Sequence, residues 1–154
     1  LVARALRGAD GVAGIVVADG RRPPLRPGTF DRVLVDAPCT GLGALRRRPE
    51  SRWRRRPDDL LELVLLQRAL LGSALDLARP GGAVLYATCS PVLSETSGVV
   101  ASILEGRTDV VLDDATALLP EVPDCGGPLP GTVQLWPHRH GTDAMFLALL
   151  RRTS

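Results

Sequence analysis

This chain of 154 residues has no apolar run as long as a membrane span, and residues 1–6 do not read as a secretion signal. Lysine is missing altogether, so all 19 basic residues are arginine. Cysteine is sparse, with three residues, an odd number in a chain not otherwise rich in it. That argues against a disulfide scaffold and for reduced thiols, the state expected of a cytoplasmic protein. Internal repeats and low-complexity segments are also missing, which leaves no basis for a solenoid or a flexible linker. What remains is a chain with 45% hydrophobic residues, enough for one domain with its own core spanning residues 1–154.

The net charge is only +2, but its distribution is uneven. Seven arginines, Arg46, Arg47, Arg48, Arg52, Arg54, Arg55 and Arg56, fall within eleven positions. Arginine is always charged and holds phosphate through two donors, so this run is a candidate nucleic-acid contact. The alternative is a solvated, arginine-rich loop.

The pattern along the chain alternates between strand and helix. Residues 14–18 (GIVVA) and 32–35 (RVLV) are short β-branched runs, each ending at an acidic residue, Asp19 and Asp36. Residues 58–79 read as one helix capped by Asp58 or Asp59, with Leu60, Leu63, Leu66, Leu70, Ala74 and Leu77 on one face and Pro80-Gly81-Gly82 ending it. Residues 83–87 predict a strand, 94–106 a helix capped by Ser94, and 109–112 and 145–150 two further strands. A Pro/Gly-rich loop, 120–131, separates those last two. This order predicts an α/β fold with a parallel sheet, whose ligands gather at the carboxyl ends of the strands. Asp19, Asp36 to Cys39, and Thr88 to Pro91 all fall there.

Two thiols carry the chemistry: Cys39, in Asp36-Ala37-Pro38-Cys39, and Cys89, in Ala87-Thr88-Cys89-Ser90-Pro91. A lone cysteine is most often a small core residue, and Cys125, in a loop without a motif, keeps that reading. Asp36, Pro38 and Gly41 taken singly are ordinary turn formers. Joint occurrence at two expected strand ends, one beside a carboxylate, raises the pair above that background. His138 and His140 alternate as if on one side of an extended segment, but without a third ligand nearby they do not make a metal site.

The motifs together carry a family resemblance. Asp36-Ala-Pro-Cys-Thr-Gly-Leu-Gly43, Arg48-Pro49-Glu50, Gln67, Pro80-Gly-Gly, Tyr86-Ala-Thr-Cys-Ser-Pro91 and Pro137-His-Arg-His-Gly-Thr-Asp143 occur in that order. The chain thereby resembles the Sun-type bacterial RNA (cytosine-5) methyltransferases, the ribosomal RNA small-subunit methyltransferase B family. It departs near the end, where Asp143-Ala144-Met145-Phe146 replaces the usual Asp-Gly-Phe-Phe, a change at the level of packing.

The resemblance implies a Rossmann-like class I methyltransferase sheet using S-adenosyl-L-methionine on cytosine in RNA, most directly small-subunit 16S rRNA, with neither metal nor membrane involved. It implies that Cys89 adds to carbon 6 of the base, making carbon 5 able to accept the methyl group, and that Cys39 aids release. Asp36 would hydrogen-bond the cytosine edge close to the methyl donor; Asp19 would contact the adenine, and Pro38 would border the donor. The target base must be unstacked to reach a buried thiol, which favours loop or single-stranded RNA held through the arginine run.

The family's glycine-rich cofactor loop and ribose-binding acid precede the position matched by Asp19, so the chain is expected to be the carboxyl-terminal part of a catalytic domain lacking its first two strands. In that case residues 14–18 would be displaced, irregularly paired or exchanged with another chain, and these residues alone would bind cofactor weakly or not at all. Two other readings stay open. One is a cytosine methyltransferase acting on DNA, in which the Pro-Cys cysteine attacks, or on tRNA. The other is an inactive RNA-binding unit.

Overall fold

The computed structural model describes residues 2–54 and 56–154. After a single turn, α1 (Val2–Ala5), residues 14–18 carry no regular structure. Val17 there is 98% exposed. The strand expected at 14–18 is therefore corrected: a β-branched run becomes a strand only when neighbouring backbone takes up its N–H and C=O groups, and no described strand lies alongside.

The next run does find a neighbour. β1 (Phe30–Asp36) pairs in parallel with β2 (Ala78–Thr88), and α3 (Asp59–Leu77) makes the crossover between them; the short α2 (Ser51–Arg54) precedes α3. The helix stops at Leu77, two residues before the expected end. Ala78 already has extended angles, and Pro80 disfavours helical backbone in the residue before it. Residues 80–82 do not end the helix but bulge within β2, where the register jumps from Phe30 opposite Ala78 to Arg32 opposite Ala83. Gly81, at φ +77°, makes that bulge possible.

α4 (Ser97–Gly106) starts three residues later than expected, because residues 93–95 form a separate 3₁₀ turn and the backbone breaks at Thr96. Ser94 is therefore not its cap. Nor does Asp58 cap α3 through its side chain. The remaining elements are β3 (Val110–Asp113), β4 (Val133–Gln134), α5 (Pro137–His140) and β5 (Phe146–Arg152). The sheet runs β1-β2-β5-β3, with β4 also on β5. The fold is α/β as expected, but β5 is antiparallel to β2, β3 and β4, so the sheet that the element order implied to be parallel is mixed. Parallel neighbours need a crossover, usually helical, and the connection into β5 contains only short elements.

Both long helices cover one face of the sheet. There α3 buries Val64, Gln67, Leu71, Ala74 and Leu75 against Val84, Tyr86, Phe146 and Leu150. Burial of each of the two fully enclosed leucines contributes about 1.5–3 kcal/mol. The buried row is shifted by one position from the expected Leu63, Leu66 and Leu70, because polar Gln67 occupies its centre. On the opposite face Leu85, Leu149 and Leu118 border an open hollow of about 810 Å³, beside a small cluster of Ala115, Cys125 and Val133. Among the described residues, no helix is long and apolar enough to cross a membrane.

Candidate active site

β1 and β2 are parallel neighbours, so the segments leaving their carboxyl ends emerge side by side. Ala37 N–H donates to the Ala87 carbonyl at 3.0 Å, extending the pairing one step past β1. The backbone then brings the sulfurs of Cys39 and Cys89 to 3.4 Å, within hydrogen-bonding distance. The pair is unequal: Cys39 is buried and Cys89 is half-buried. Sharing the hydrogen bond and burial both push the Cys39 thiol up. The hydrogen bond from Cys39 pulls Cys89 down to about 7, helped by a backbone donor and opposed by burial and by the charges of Asp36 and Asp143. Of the two, Cys39 holds its proton more firmly and Cys89 ionises first. The group that lowers the Cys89 thiol most, which no local sequence feature identifies, is the other cysteine.

Behind the pair lies a buried polar cluster. Glu95 Oε1 accepts from Thr40 N–H at 2.8 Å and from Gln67 Nε2 at 3.0 Å. Its Oε2 accepts from the hydroxyls of Thr40 and Ser90, both at 2.6 Å. Gln67 also donates to the Pro38 carbonyl at 2.9 Å, and the Tyr86 hydroxyl to the Glu95 carbonyl at 2.8 Å. Thus the polar residue in the apolar row of α3 braces the loop that carries Cys39. Gly43 links three segments: its N–H donates to the Cys89 carbonyl, and its carbonyl accepts from Ala144 N–H, each at 3.0 Å. A Cβ there would lie 2.3 Å from the Ala144 oxygen, so only glycine fits.

Two hollows meet at Asp36. One, of about 360 Å³, lies over the thiols and is bordered by Asp36, Pro38, Thr40, Arg48 and Ser51. The other, of about 260 Å³, lies along the outer edge of β1 and is bordered by Gly20, Pro23, Leu34, Asp36 and Leu70. Asp36 and Pro38 are exposed at the first. Asp19 precedes Gly20, but both its carboxylate oxygens accept from Arg21 at 2.7–3.0 Å, which holds the exposed carboxyl down at about 2. Asp36 and Pro38 thus face open space as a ligand would require, whereas Asp19 is turned to its own neighbour.

The arginine run divides. Arg47 Nε donates to both carboxylate oxygens of Asp143, at 3.1 and 2.9 Å, and holds that carboxyl below its ordinary range. Arg46 donates to the Gly141 carbonyl at 3.1 Å. These two arginines moor the loop to the segment before β5. Arg48, Arg52 and Arg56 are exposed, Arg48 at the edge of the thiol cleft. Arg55 and the side chain of Arg54 lie outside the described residues. Trp53, between Arg52 and Arg54, is 84% exposed.

His138 and His140 lie on α5, not on an extended segment. His140 Nδ1 accepts from Trp136 N–H at 2.9 Å, and its Nε2 lies 3.1 Å from the Pro123 carbonyl, so both ring nitrogens are engaged with backbone. Cys125 is buried in the small cluster opposite the helices. Thr40 and Ser90 lie within the two cysteine motifs and Arg47 within the arginine run, but their roles as partners and anchor had no signal; Glu95 and Trp53 had none, and Gln67 had one, a polar residue in an apolar helix.

Comparison with known proteins gives this arrangement a context. The family described as "16S rRNA methyltransferase RsmB/F" matches residues 4–151. Rv1407 of Mycobacterium tuberculosis (strain ATCC 25618 / H37Rv), which carries a methyltransferase name, is 58% identical over 153 residues, 99% of this chain and 32% of the relative. The crystal structure of PH0851 superposes with a TM-score of 0.76 at 40% identity, covering 82% of this chain and 27% of that one. NSun6 from Pyrococcus horikoshii, solved with SFG, superposes with a TM-score of 0.64 at 28% identity, covering 79% and 29%. The chain spans about a third of the length of the first of these relatives.

Proposed function

Because the chain belongs to the 16S rRNA methyltransferase RsmB/F family, we propose that its paired thiols serve the methylation of carbon 5 of a cytosine in 16S rRNA, with S-adenosyl-L-methionine as methyl donor. The observation that carries this reading is the unequal pair, a half-buried thiol hydrogen-bonded to a buried one beside an exposed carboxylate. Cys89 attacks carbon 6 of the cytosine, and the electron pair of the ring double bond becomes available at carbon 5. Asp36, reaching the same cleft, hydrogen-bonds the cytosine edge and stabilises the altered ring.

The donor, when bound, supplies an electrophilic methyl group. The hollow along β1, with Asp36 and Leu34 in its wall, supports a place for it beside the thiol cleft, and the structure of NSun6 with SFG, an S-adenosylmethionine analogue, supports the same class of donor. At about 260 Å³ this hollow lies just under the usual range of ligand pockets, so these residues offer one wall and not the whole cradle. Asp19 joins that wall only if its pairing with Arg21 opens. Transfer of the carbon-5 proton to water in the open cleft then restores the double bond and expels Cys89 as thiolate, a departure eased by the hydrogen bond from Cys39.

Arg48, Arg52 and Arg56 suit the phosphates flanking an unstacked base, and exposed Trp53 offers a stacking surface among them. The burial of Cys39 and its retained proton favour Cys89 as attacker over the DNA-type alternative in which the Pro-Cys cysteine attacks.

The test uses the natural full-length protein and RNA containing 5-fluorocytosine, which blocks release. The covalent adduct is expected to survive Cys39→Ala and to vanish in Cys89→Ala; the reverse result overturns the assignment. The rate of adduct formation is expected to rise with pH through about 7, since Cys89 loses its proton there and attacks as thiolate.

A further inference from the structure

The geometry points to Glu95 as the positioning residue of the thiol pair, the carboxylate that holds the two cysteine loops at hydrogen-bonding separation. This rests on the reading of Cys89 as the attacking group. Glu95 touches neither sulfur's position in sequence: it lies beyond the Cys89 loop, ahead of α4, and neither its burial nor its partners follow from a motif. Yet its two oxygens bind one residue from each loop, Thr40 next to Cys39 and Ser90 next to Cys89, and reach α3 through Gln67.

Four donors on two oxygens is the bonding pattern of an acceptor-only, ionised carboxylate. No arginine among the described residues forms an ion pair with it. Burying such a charge is costly, and the donors that meet it from both loops offset that cost only while the loops stay in place. Were the loops to part, Cys89 would lose the Cys39 hydrogen bond, which lowers it most. The other charged groups around the pair are Asp36 from β1 and Asp143 from the segment before β5, both of which oppose ionisation of Cys89, together with Arg47, held by Asp143, and Arg48 at the cleft edge. Glu95 carries the same sign as those two carboxylates, so it favours ionisation of Cys89 only through position, by keeping the Cys39 hydrogen bond in place.

Alkylation of Cys89 by iodoacetamide across pH, read by peptide mass spectrometry in the natural full-length protein, tests this without RNA or methyl donor. Glu95→Gln keeps the size but puts an amide nitrogen, which cannot accept, where a carboxylate oxygen takes two donors, so a tie between the loops is lost. Cys89 alkylation is then expected to shift to higher pH, toward the ordinary thiol value of about 8.5, and to slow roughly tenfold at pH 7. A folded Glu95→Gln protein, judged by circular dichroism, with the wild-type profile overturns the proposal. Should that variant fail to fold, Ser90→Ala, which removes one tie and leaves the charge, is decisive: a smaller shift in the same direction supports the role, and an unchanged profile overturns it. Failure of wild-type protein to form the 5-fluorocytosine adduct would count against the Cys89 reading itself, while the alkylation profile still judges Glu95 separately.

Discussion

Residues 14–18 and 32–35 are close to the same kind of sequence, GIVVA and RVLV, each followed by an aspartate, and they end in opposite states. The second is a strand with Val35 only 9% exposed; the first has Val17 98% exposed and no regular structure. Local preference for extended backbone is equal enough that it cannot decide between them. The difference lies in what stands alongside: β2 pairs with 32–35 and α3 packs on it, whereas no described strand lines 14–18. Strand propensity here is a willingness that a neighbour converts into structure. The consequence reaches the chemistry, because Asp36 at the end of the paired strand is held beside the thiols, while Asp19 after the unpaired run is left to Arg21.

The contrast can be broken or sharpened by substitution. The largest expected effect is beneath the paired strand: Leu75→Ala, deleting a fully buried side chain of α3, should cost about 2–5 kcal/mol in a urea unfolding measurement. Next comes Gly43→Ala, where the added methyl meets backbone oxygens of Ala144 and Cys89 that cannot turn aside; about 1–3 kcal/mol of stability is expected to be lost, with slower alkylation of Cys89. Smallest is Val17→Ala, expected to stay within about 0.5 kcal/mol of wild type in the same measurement. A Val17→Ala cost as large as that of Leu75→Ala would mean that the 14–18 run is packed after all and would dissolve the comparison.

Much of the frame was legible in the sequence because its elements are long or strongly patterned. β1, the crossover helix, the end of β2 and the run into β5 all fall within a few residues of expectation. β4 and α5 were missed because two and four residues are too few to show a period, and both exist through contacts with distant chain, β4 on β5 and α5 through His140 and the Pro123 carbonyl. The face of α3 was read one position off because Gln67 looks like a solvent residue until its partners, Glu95 and the Pro38 carbonyl, are known. The thiols and Asp36 were visible through their motifs. Their support was not: Thr40 meets Glu95 across 55 positions and Arg47 meets Asp143 across 96, and no local pattern in one sequence reports such pairings.

Asp36 forms part of the wall of both hollows, the one over the thiols and the one along β1. Two occupants that each bond to one shared carboxylate cannot bind independently, for each changes the charge and the lone pairs that the other finds. The coupling free energy is the same whichever arrives first, so whatever factor one occupant imposes on the affinity of the other is returned in full. With both hollows occupied, a single side chain at a strand end would couple one occupant to the other.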